Sequence, residues 1–196
     1  MPKKYKYKTL VTGGAGFIGS HLVDKLINLG HKVIVIDNLS TGRIGNIEKY
    51  LNKITFIKKD ISDFAGIKKY FQKLDYIFHL AALADIVPSI NSPRDYFNAN
   101  VFGTLNVLEL AKKNKLKKFI YTASSSCYGI PKKYPTNEKE QIDTKYPYAL
   151  TKKNGEDLVL HWAKIYKLNV TSFRLFNVYG TRSRKSGTYG AMFGTF

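Results

Sequence analysis

A tyrosine and a lysine four residues apart, Tyr148 and Lys152, follow Pro147 and head a stretch with helical periodicity, so their side chains share one face. A free tyrosine has a pKa of about 10 and is a poor base at neutral pH, but a neighbouring ammonium favours the phenolate. Such a pair could take the proton of a hydroxyl group. The spacing alone carries little, because 14 Tyr and 27 Lys in 196 residues give roughly two such pairs by chance. Two are present, and the other, Tyr128 with Lys132, encloses Gly129 and Pro131, which disfavour a helix and remove the shared face. Ser124, Ser125 and Ser126 end an apolar run. Their hydroxyls can hold a substrate oxygen but cannot act as carboxylic acid–base groups at neutral pH.

A second constellation is built for phosphate. Thr12-Gly13-Gly14-Ala15-Gly16-Phe17-Ile18-Gly19 contains both Gly14-x-Gly16-x-x-Gly19 and Gly13-x-x-Gly16-x-x-Gly19, and Asp37 stands 18 residues beyond Gly19. The pattern is weak alone and strong in place: it follows a strand-like run, opens a helix-like one, and has its acid at the end of the next strand. Glycines allow a sharp turn and close approach to a pyrophosphate, whose charge is favoured by N–H groups at the helix start. Asp37 can accept both adenosine ribose hydroxyls and repels a 2′-phosphate, so the expected cofactor is NAD rather than NADP. An oxidised nicotinamide would add to the pull toward phenolate at Tyr148.

The elements that must position these residues alternate along the chain. Thr9–Thr12, Lys32–Asp37, Ile54–Ile57, Tyr76–Leu80, Phe119–Thr122 and Val170–Phe173 are short apolar runs of the kind buried on both faces of a sheet. Helical patterns lie between them at Phe17–Leu29, Phe64–Lys73, Pro93–Lys113 and Tyr148–Tyr166. Six strands alternating with helices predict an α/β fold with a mainly parallel, doubly wound, Rossmann-type sheet. Ligands of such sheets sit beyond the carboxyl ends of the strands, where the glycines, Asp37, Asp60, Ala81–Ala82 and the three serines all fall. The irregular stretch from Gly129 to Pro147 reads as a connection rather than a domain boundary.

Composition narrows the classes. With 44% apolar residues and no run near the length needed to span a bilayer, the chain reads as a globular domain without membrane partner or secretory signal. One cysteine, Cys127, cannot form an internal disulfide, which makes the cytoplasm the expected location. The net charge of +18 comes from 27 Lys and only 5 Arg, scattered as short pairs such as Lys58-Lys59 and Lys117-Lys118. Nucleic-acid readers favour Arg forks and continuous basic stripes, so this excess reads as a solvated surface and no nucleic-acid partner is expected. His79 reads as a hydrogen-bonded structural histidine and Cys127 as a buried thiol. No His/Asp/Glu cluster of metal spacing accompanies them, and no metal is assigned.

Taken together, Thr12-Gly-Gly-Ala-Gly-Phe-Ile-Gly19, Asp37-Asn-Leu-Ser-Thr-Gly42, Asp60-Ile61, His79-Leu-Ala-Ala82, Asn100-Val-Phe-Gly-Thr104, Ser124-Ser-Ser-Cys-Tyr-Gly129, Tyr148-x-x-x-Lys152 and Arg174-Leu-Phe-Asn-Val-Tyr-Gly180 resemble the extended short-chain dehydrogenase/reductases, and within them the NAD-dependent nucleotide-sugar 4-epimerases. The resemblance implies that Gly13, Gly16, Phe17, Ile18 and Gly19 hold the pyrophosphate side of NAD, and Asp37, Asn38, Leu39, Ser40, Thr41 and Gly42 its adenosine. It places Asp60 and Ile61 at the adenine, and Leu80, Ala81, Ala82, Ala84 and Asn100 along the middle of the cofactor. Tyr148, Lys152 and Phe176 belong by the same resemblance to the nicotinamide end. Ser124, Ser125, Ser126, Tyr148 and Asn177 would meet the sugar nucleotide, with Ser124, Tyr148 and Lys152 catalytic.

Dehydratases of this kind place Asp and Glu directly after the serine or threonine that contacts the sugar, and decarboxylases use a Glu there. Ser125 and Ser126 stand in those positions here. The resemblance thus implies a 4-epimerase of UDP-glucose and UDP-galactose or their N-acetyl forms, in which Tyr148 takes the 4-hydroxyl proton while hydride leaves carbon 4 for NAD and later returns to the other face. A dehydratase, a decarboxylase or a non-catalytic NAD-binding protein of the same fold is the alternative. The resemblance also implies a homodimer, and a division into an NAD-binding domain at 1–180 and the start of a truncated substrate-binding region at 181–196. The substrate domain of relatives would then be largely absent and the chain a fragment.

Overall fold

The computed structural model describes residues 5–183. The six apolar runs form strands β1 (Lys8–Thr12), β2 (Lys32–Asp37), β3 (Ile54–Lys58), β4 (Tyr76–His79), β5 (Lys118–Ser124) and β6 (Val170–Leu175). Around them lie helices α1 (Phe17–Asn28), α2 (Phe64–Lys68), α3 (Ile86–Asn91), α4 (Pro93–Phe97), α5 (Gly103–Ala111) and α6 (Pro147–Tyr166). The strands order as β3-β2-β1-β4-β5-β6, and each neighbouring pair is parallel. This is the doubly wound arrangement expected from the alternation, parallel throughout the described residues.

The order decides where a ligand can sit. From β1 the chain builds outward through β2 and β3, then returns to the other side of β1 as β4, so connections diverge at the β1/β4 seam and a crevice opens beyond it. Thr12, the last residue of β1, pairs with Ile36 on one side and His79 on the other. Both faces of the central strands are buried. Leu10, Ile34, Ile36 and Ile77 pack with Val107, Leu108 and Val159 from α5 and α6, whereas Val11, Val33 and Val35 pack with Val23 and Leu26 of α1. This two-sided burial explains why these runs are continuously apolar rather than alternating.

Two helical expectations need correction, and one helix is added. The Phe64–Lys73 pattern is helical only to Lys68; Tyr70 and Phe71 then bond back three residues, and Lys73 takes φ of 51°, which lets Phe71 and Leu74 enter the core before β4. Pro93–Lys113 is not one α-helix: a turn of π-helix over Asn98–Phe102 separates α4 from α5. The short α3 is an addition to the expected elements, its Pro88 sitting in the first turn, where a missing N–H costs nothing. The expected division near residue 180 falls just after β6, and the glycine-rich stretch from Gly187 to Gly194 lies outside the described residues.

Candidate functional site

The glycine turn after β1 meets the turn after β4. Gly13 takes φ of 71°, and a Cβ there would stand 2.7 Å from the Ala81 backbone nitrogen. A Cβ on Gly19 would run into the Gly13 carbonyl, so glycine is what lets α1 come this close to the turn. Gly16 is the N-cap of α1 and supplies no side-chain acceptor, and no acidic residue stands in the first turn of the helix. The N–H groups at this helix start therefore suit a phosphate, both by hydrogen bonding and by the helix dipole.

Asp37 ends β2 almost fully buried. Its two oxygens accept the Ala15 and Leu39 N–H groups, each at 2.9 Å, which fixes the carboxylate and leaves lone pairs for a ligand. Burial pushes its pKa up, and the two backbone hydrogen bonds hold it down in part. Asp60, after β3, accepts Asn38 Nδ2 at 2.6 Å and Ser62 N–H at 2.8 Å. Its partial burial is outweighed by those bonds, and its carboxyl lies below the ordinary value.

Tyr148 and Lys152 lie in the first turns of α6, which starts at Pro147. The Lys152 ammonium is buried and stands 4.5 Å from the centroid of the Tyr121 ring. Burial pulls its pKa down to about 8, against the opposing influence of Cys127 and Glu156. The Tyr148 ring meets the Tyr96 ring edge-on, with centroids 6.3 Å apart. Ser124 Oγ accepts the Ser126 N–H at 3.2 Å, which caps the short turn Ser125–Tyr128.

These pieces converge. A cavity of about 490 Å³ is lined at its loop end by Gly13, Gly16, Phe17, Ile18, Gly19 and Thr41, and farther in by Leu80, Ala82, Ala84, Ser124, Ser125, Ser126, Tyr148, Lys152, Phe176 and Asn177. A recess of about 90 Å³ shares Gly13, Gly16, Thr41, Leu80 and Ala82 with it, and adds Asp37, Asn38, Ser40, Gly42, Asp60, Ile61 and Ala81. The uncapped helix start lies between an acid suited to ribose hydroxyls and a pocket carrying Tyr148, which fits a dinucleotide laid across the β1/β4 seam. Of the residues expected at the site, Leu39 and Asn100 line neither space. Leu39 packs against the apolar core on the α1 side.

Asn100 acts from behind the wall. Its Oδ1 accepts Leu83 N–H at 2.8 Å, and its Nδ2 donates to Leu83 O and to Thr151 Oγ1, both at 3.0 Å; Thr151 in turn donates to Tyr148 O at 2.9 Å. His79 joins the same system. Thr104 Oγ1 spends its one proton on Asn100 O at 2.6 Å, so it must accept from His79 Nε2–H at 2.9 Å. Nδ1 then accepts Thr12 Oγ1–H at 2.6 Å, and Thr12 accepts Ala81 N–H at 3.2 Å. Complete burial, with the Lys152 charge nearby, pulls the His79 pKa down to about 3 and keeps the ring neutral.

Among the residues of the larger cavity that the sequence does not single out, Arg43, Asn46, Asp85 and Arg182 carry charged or amide side chains. Arg43 directly continues the Asp37–Gly42 run and was within reach of it. Asp85 extends Leu80–Ala84, but what marks it is a positive φ of 87°, with its carbonyl and that of Ala84 held by the Tyr96 hydroxyl. Arg182 comes from beyond β6 and pairs with Asp24 of α1 at 2.6 Å. No group of three or more His, Cys, Asp or Glu positioned to hold a metal occurs among the described residues. Nor is any helix among them long and apolar enough to cross a membrane.

Comparison with known proteins matches this geometry. The model of the NAD dependent epimerase/dehydratase family matches residues 9–195. A UDP-glucose 4-epimerase of Mycolicibacterium smegmatis is 39% identical over 190 residues, covering 94% of this chain and 60% of that protein. Among solved structures, the UDP-N-acetylglucosamine 4-epimerase from Methanobrevibacter ruminantium M1, in complex with UDP-N-acetylmuramic acid, is 37% identical with a TM-score of 0.89, over 95% of this chain and 60% of that one. The Thermus thermophilus UDP-glucose 4-epimerase, in complex with NAD, is 34% identical with a TM-score of 0.87, over 95% of this chain and 61% of that one. The chain thus spans about 60% of the length of these relatives.

Proposed function

The chain belongs to the NAD-dependent epimerase/dehydratase family, and from that premise we propose that it is the NAD-binding part of a nucleotide-sugar 4-epimerase acting on UDP-glucose and UDP-galactose or their N-acetyl forms. The observation that carries this reading is a single cavity holding the α1 start, Ser124–Ser126, Tyr148, Lys152 and Asn177 together.

In this reading the glycine turn and the α1 N–H groups bind the pyrophosphate, and Asp37 takes the adenosine ribose. Bound NAD supplies a reversible acceptor for the hydride on carbon 4 of the sugar. Tyr148 receives the proton of the 4-hydroxyl, Ser124 hydrogen-bonds that oxygen, and Lys152 keeps positive charge beside them. Once the 4-keto sugar has turned its other face and carbon 4 has regained its hydride there, Tyr148 returns the proton to the same oxygen and the centre is inverted. Ser125 and Ser126 give elimination no acid where it would need one, which favours epimerisation over dehydration. Asp85 is the one carboxylate among the described lining residues of this cavity, and it sits at the entry to α3 rather than in the serine turn.

Residues 181–196 are proposed to begin the substrate-binding region. A homodimer is proposed as well. It is supported by exposed apolar side chains on elements that pack against one another: Val87 and Ile90 of α3, Phe102 of the π turn, and Leu150 and Leu160 of α6. The single cysteine, buried and unbridged, supports a cytoplasmic setting. The direct test is to incubate the complete protein with each UDP-sugar and follow the anomeric protons by NMR. Failure to interconvert either pair of 4-epimers would overturn the reading.

A further inference from the structure

One turn beyond Lys152 on α6, the Glu156 carboxylate is 3% exposed. It accepts Arg174 Nε at 2.9 Å and Ser172 Oγ at 2.8 Å, both from β6, and Arg174 Nη2 lies 2.8 Å from the same carboxylate. A buried carboxylate is tolerated when its lone pairs are met in this way, and the planar guanidinium fork is the group that can do so twice. The remaining nitrogen of the fork reaches elsewhere. Arg174 Nη1 donates to Tyr128 Oη at 2.9 Å and to the Glu138 carbonyl at 3.3 Å, and the guanidinium carbon lies 5.0 Å from the Tyr128 ring centroid.

Tyr128 closes the turn that begins after Ser124, and its ring stacks on Phe176 with centroids 6.3 Å apart and an interplanar angle of 26°. One guanidinium therefore joins three pieces of the site. These are the helix carrying Tyr148 and Lys152, the turn carrying Ser124–Ser126, and the end of β6 leading to Phe176 and Asn177. Glu156, Arg174 and Tyr128 are all absent from the cavity wall, so they do not act on the substrate by contact.

We propose that Glu156 and Arg174 are positioning residues of the reaction: their ion pair, extended through Tyr128, holds the serine turn in register with α6, so that the Ser124 hydroxyl and the Tyr148 oxygen address the same sugar oxygen. This rests on the epimerase reading above. The chemistry needs that register because two groups meeting one atom lose effect steeply with displacement, a misplacement of about 1 Å costing on the order of a hundredfold in rate. Lysine could not replace Arg174, since a single ammonium cannot hold the carboxylate bidentately and still reach Tyr128.

Two measurements decide it. Removing one charge would strand the other in the interior, so the chief variant carries Glu156→Met together with Arg174→Met, with Tyr128→Phe as a milder probe that leaves the ion pair whole. By amide hydrogen exchange on this chain, the Met pair should speed exchange across Ser126–Gly129 by about tenfold or more while Val33–Ile36 keep the unmodified rate. In the complete protein, the Met pair should lower kcat by about tenfold or more, with the KM for the sugar nucleotide and the affinity for NAD within about threefold. Tyr128→Phe should lower kcat several-fold alone and add nothing to the Met pair. Arg174→Lys should not restore kcat. A pair that merely stabilised the fold would lower the thermal midpoint without separating kcat from KM. Unchanged exchange in the turn, or a wild-type kcat in the Met pair, overturns the proposal. Should the unmodified complete protein fail to epimerise, the functional reading falls and the exchange result alone decides whether the clamp exists.

Discussion

The Lys152 ammonium rests 4.5 Å from the centre of the Tyr121 ring, and the Tyr121 hydroxyl donates to the backbone carbonyl of Lys152 at 3.3 Å. The ring thus supports the cation and pins the turn that carries it. Burial drives the Tyr121 hydroxyl above the ordinary phenol range, so it remains a donor while Lys152 is the group that titrates.

Lys152→Met should stabilise this chain at pH 7 while removing a group that the proposed reaction needs. The folded-state pKa of about 8 lies below the ordinary lysine value of 10.5, so the unfolded state binds more protons between those values and wild-type stability rises with pH across that window. The advantage of the Met variant, on the order of 1–3 kcal/mol and a few degrees in thermal midpoint, should be full below pH 8 and shrink toward zero by about pH 10.5. A variant less stable than wild type at pH 7 would contradict the burial argument.

In the complete protein, Tyr148→Phe should abolish interconversion of the UDP-sugars and retain NAD, since Phe keeps the ring and loses the oxygen that moves the proton. Asp85→Asn should leave interconversion detectable at saturating substrate. Coupled assays with both variants separate the two acids: loss in Asp85→Asn with activity in Tyr148→Phe would transfer the proton role to the carboxylate.

This chain should bind NAD more tightly than NADP. The Asp37 carboxylate is fixed by two N–H donors at 2.9 Å and cannot turn away from an added phosphate. Calorimetric titration of both cofactors measures the difference, and equal affinities would remove Asp37 from the ribose.

Acid should unfold the chain through His79. Its folded pKa of about 3 lies below the ordinary histidine value of 6.5, so the unfolded state takes up the proton first and stability falls as pH drops through that interval. By pH 3 the loss is roughly 4 kcal/mol. His79→Asn should flatten the pH dependence of the denaturation midpoint there, and an unchanged slope would assign the acid loss to other groups.

Duplex DNA should bind weakly and release by about 0.2 M salt, as expected of dispersed lysines. Several ammonium groups lie over tyrosine rings instead of forming a stripe: Lys6 and Lys117 over Tyr7, Lys32 over Tyr5, Lys69 over Tyr70 and Lys112 over Tyr166. Retention on DNA at that salt, in an anisotropy titration, would return nucleic acid to the list of partners.

How far the sequence can be read depends on how local each feature is. β2 is legible at both ends because a strand buried on two faces is one unbroken apolar run, and the glycine turn because its spacing and its place after a strand coincide. Periodicity does not distinguish a continuous helix from α4, a π turn and α5, since one added residue barely disturbs the apolar pattern. Asn100, expected at the cofactor, holds Leu83 through two hydrogen bonds, a relation that lies in which way a side chain points. The Glu156–Arg174 pair is invisible for another reason. Neither residue touches the cavity, and only the β6-on-α6 packing makes them neighbours.

The π turn at Asn98–Phe102 also bears on how the gene can change length. It holds one residue more than a plain α-helix would need there, so losing a single codon within it could leave an unbroken helix that still folds. The wide turn holds its added residue as a bulge, so such a deletion would leave the segment carrying Tyr96 in nearly the same rotation relative to the segment carrying Thr104. Tyr96 would keep its place against Tyr148, and Thr104 its place beside His79. A one-codon deletion at this place is therefore a change of length that descendants of this gene can carry while keeping both the fold and the walls of its cavity.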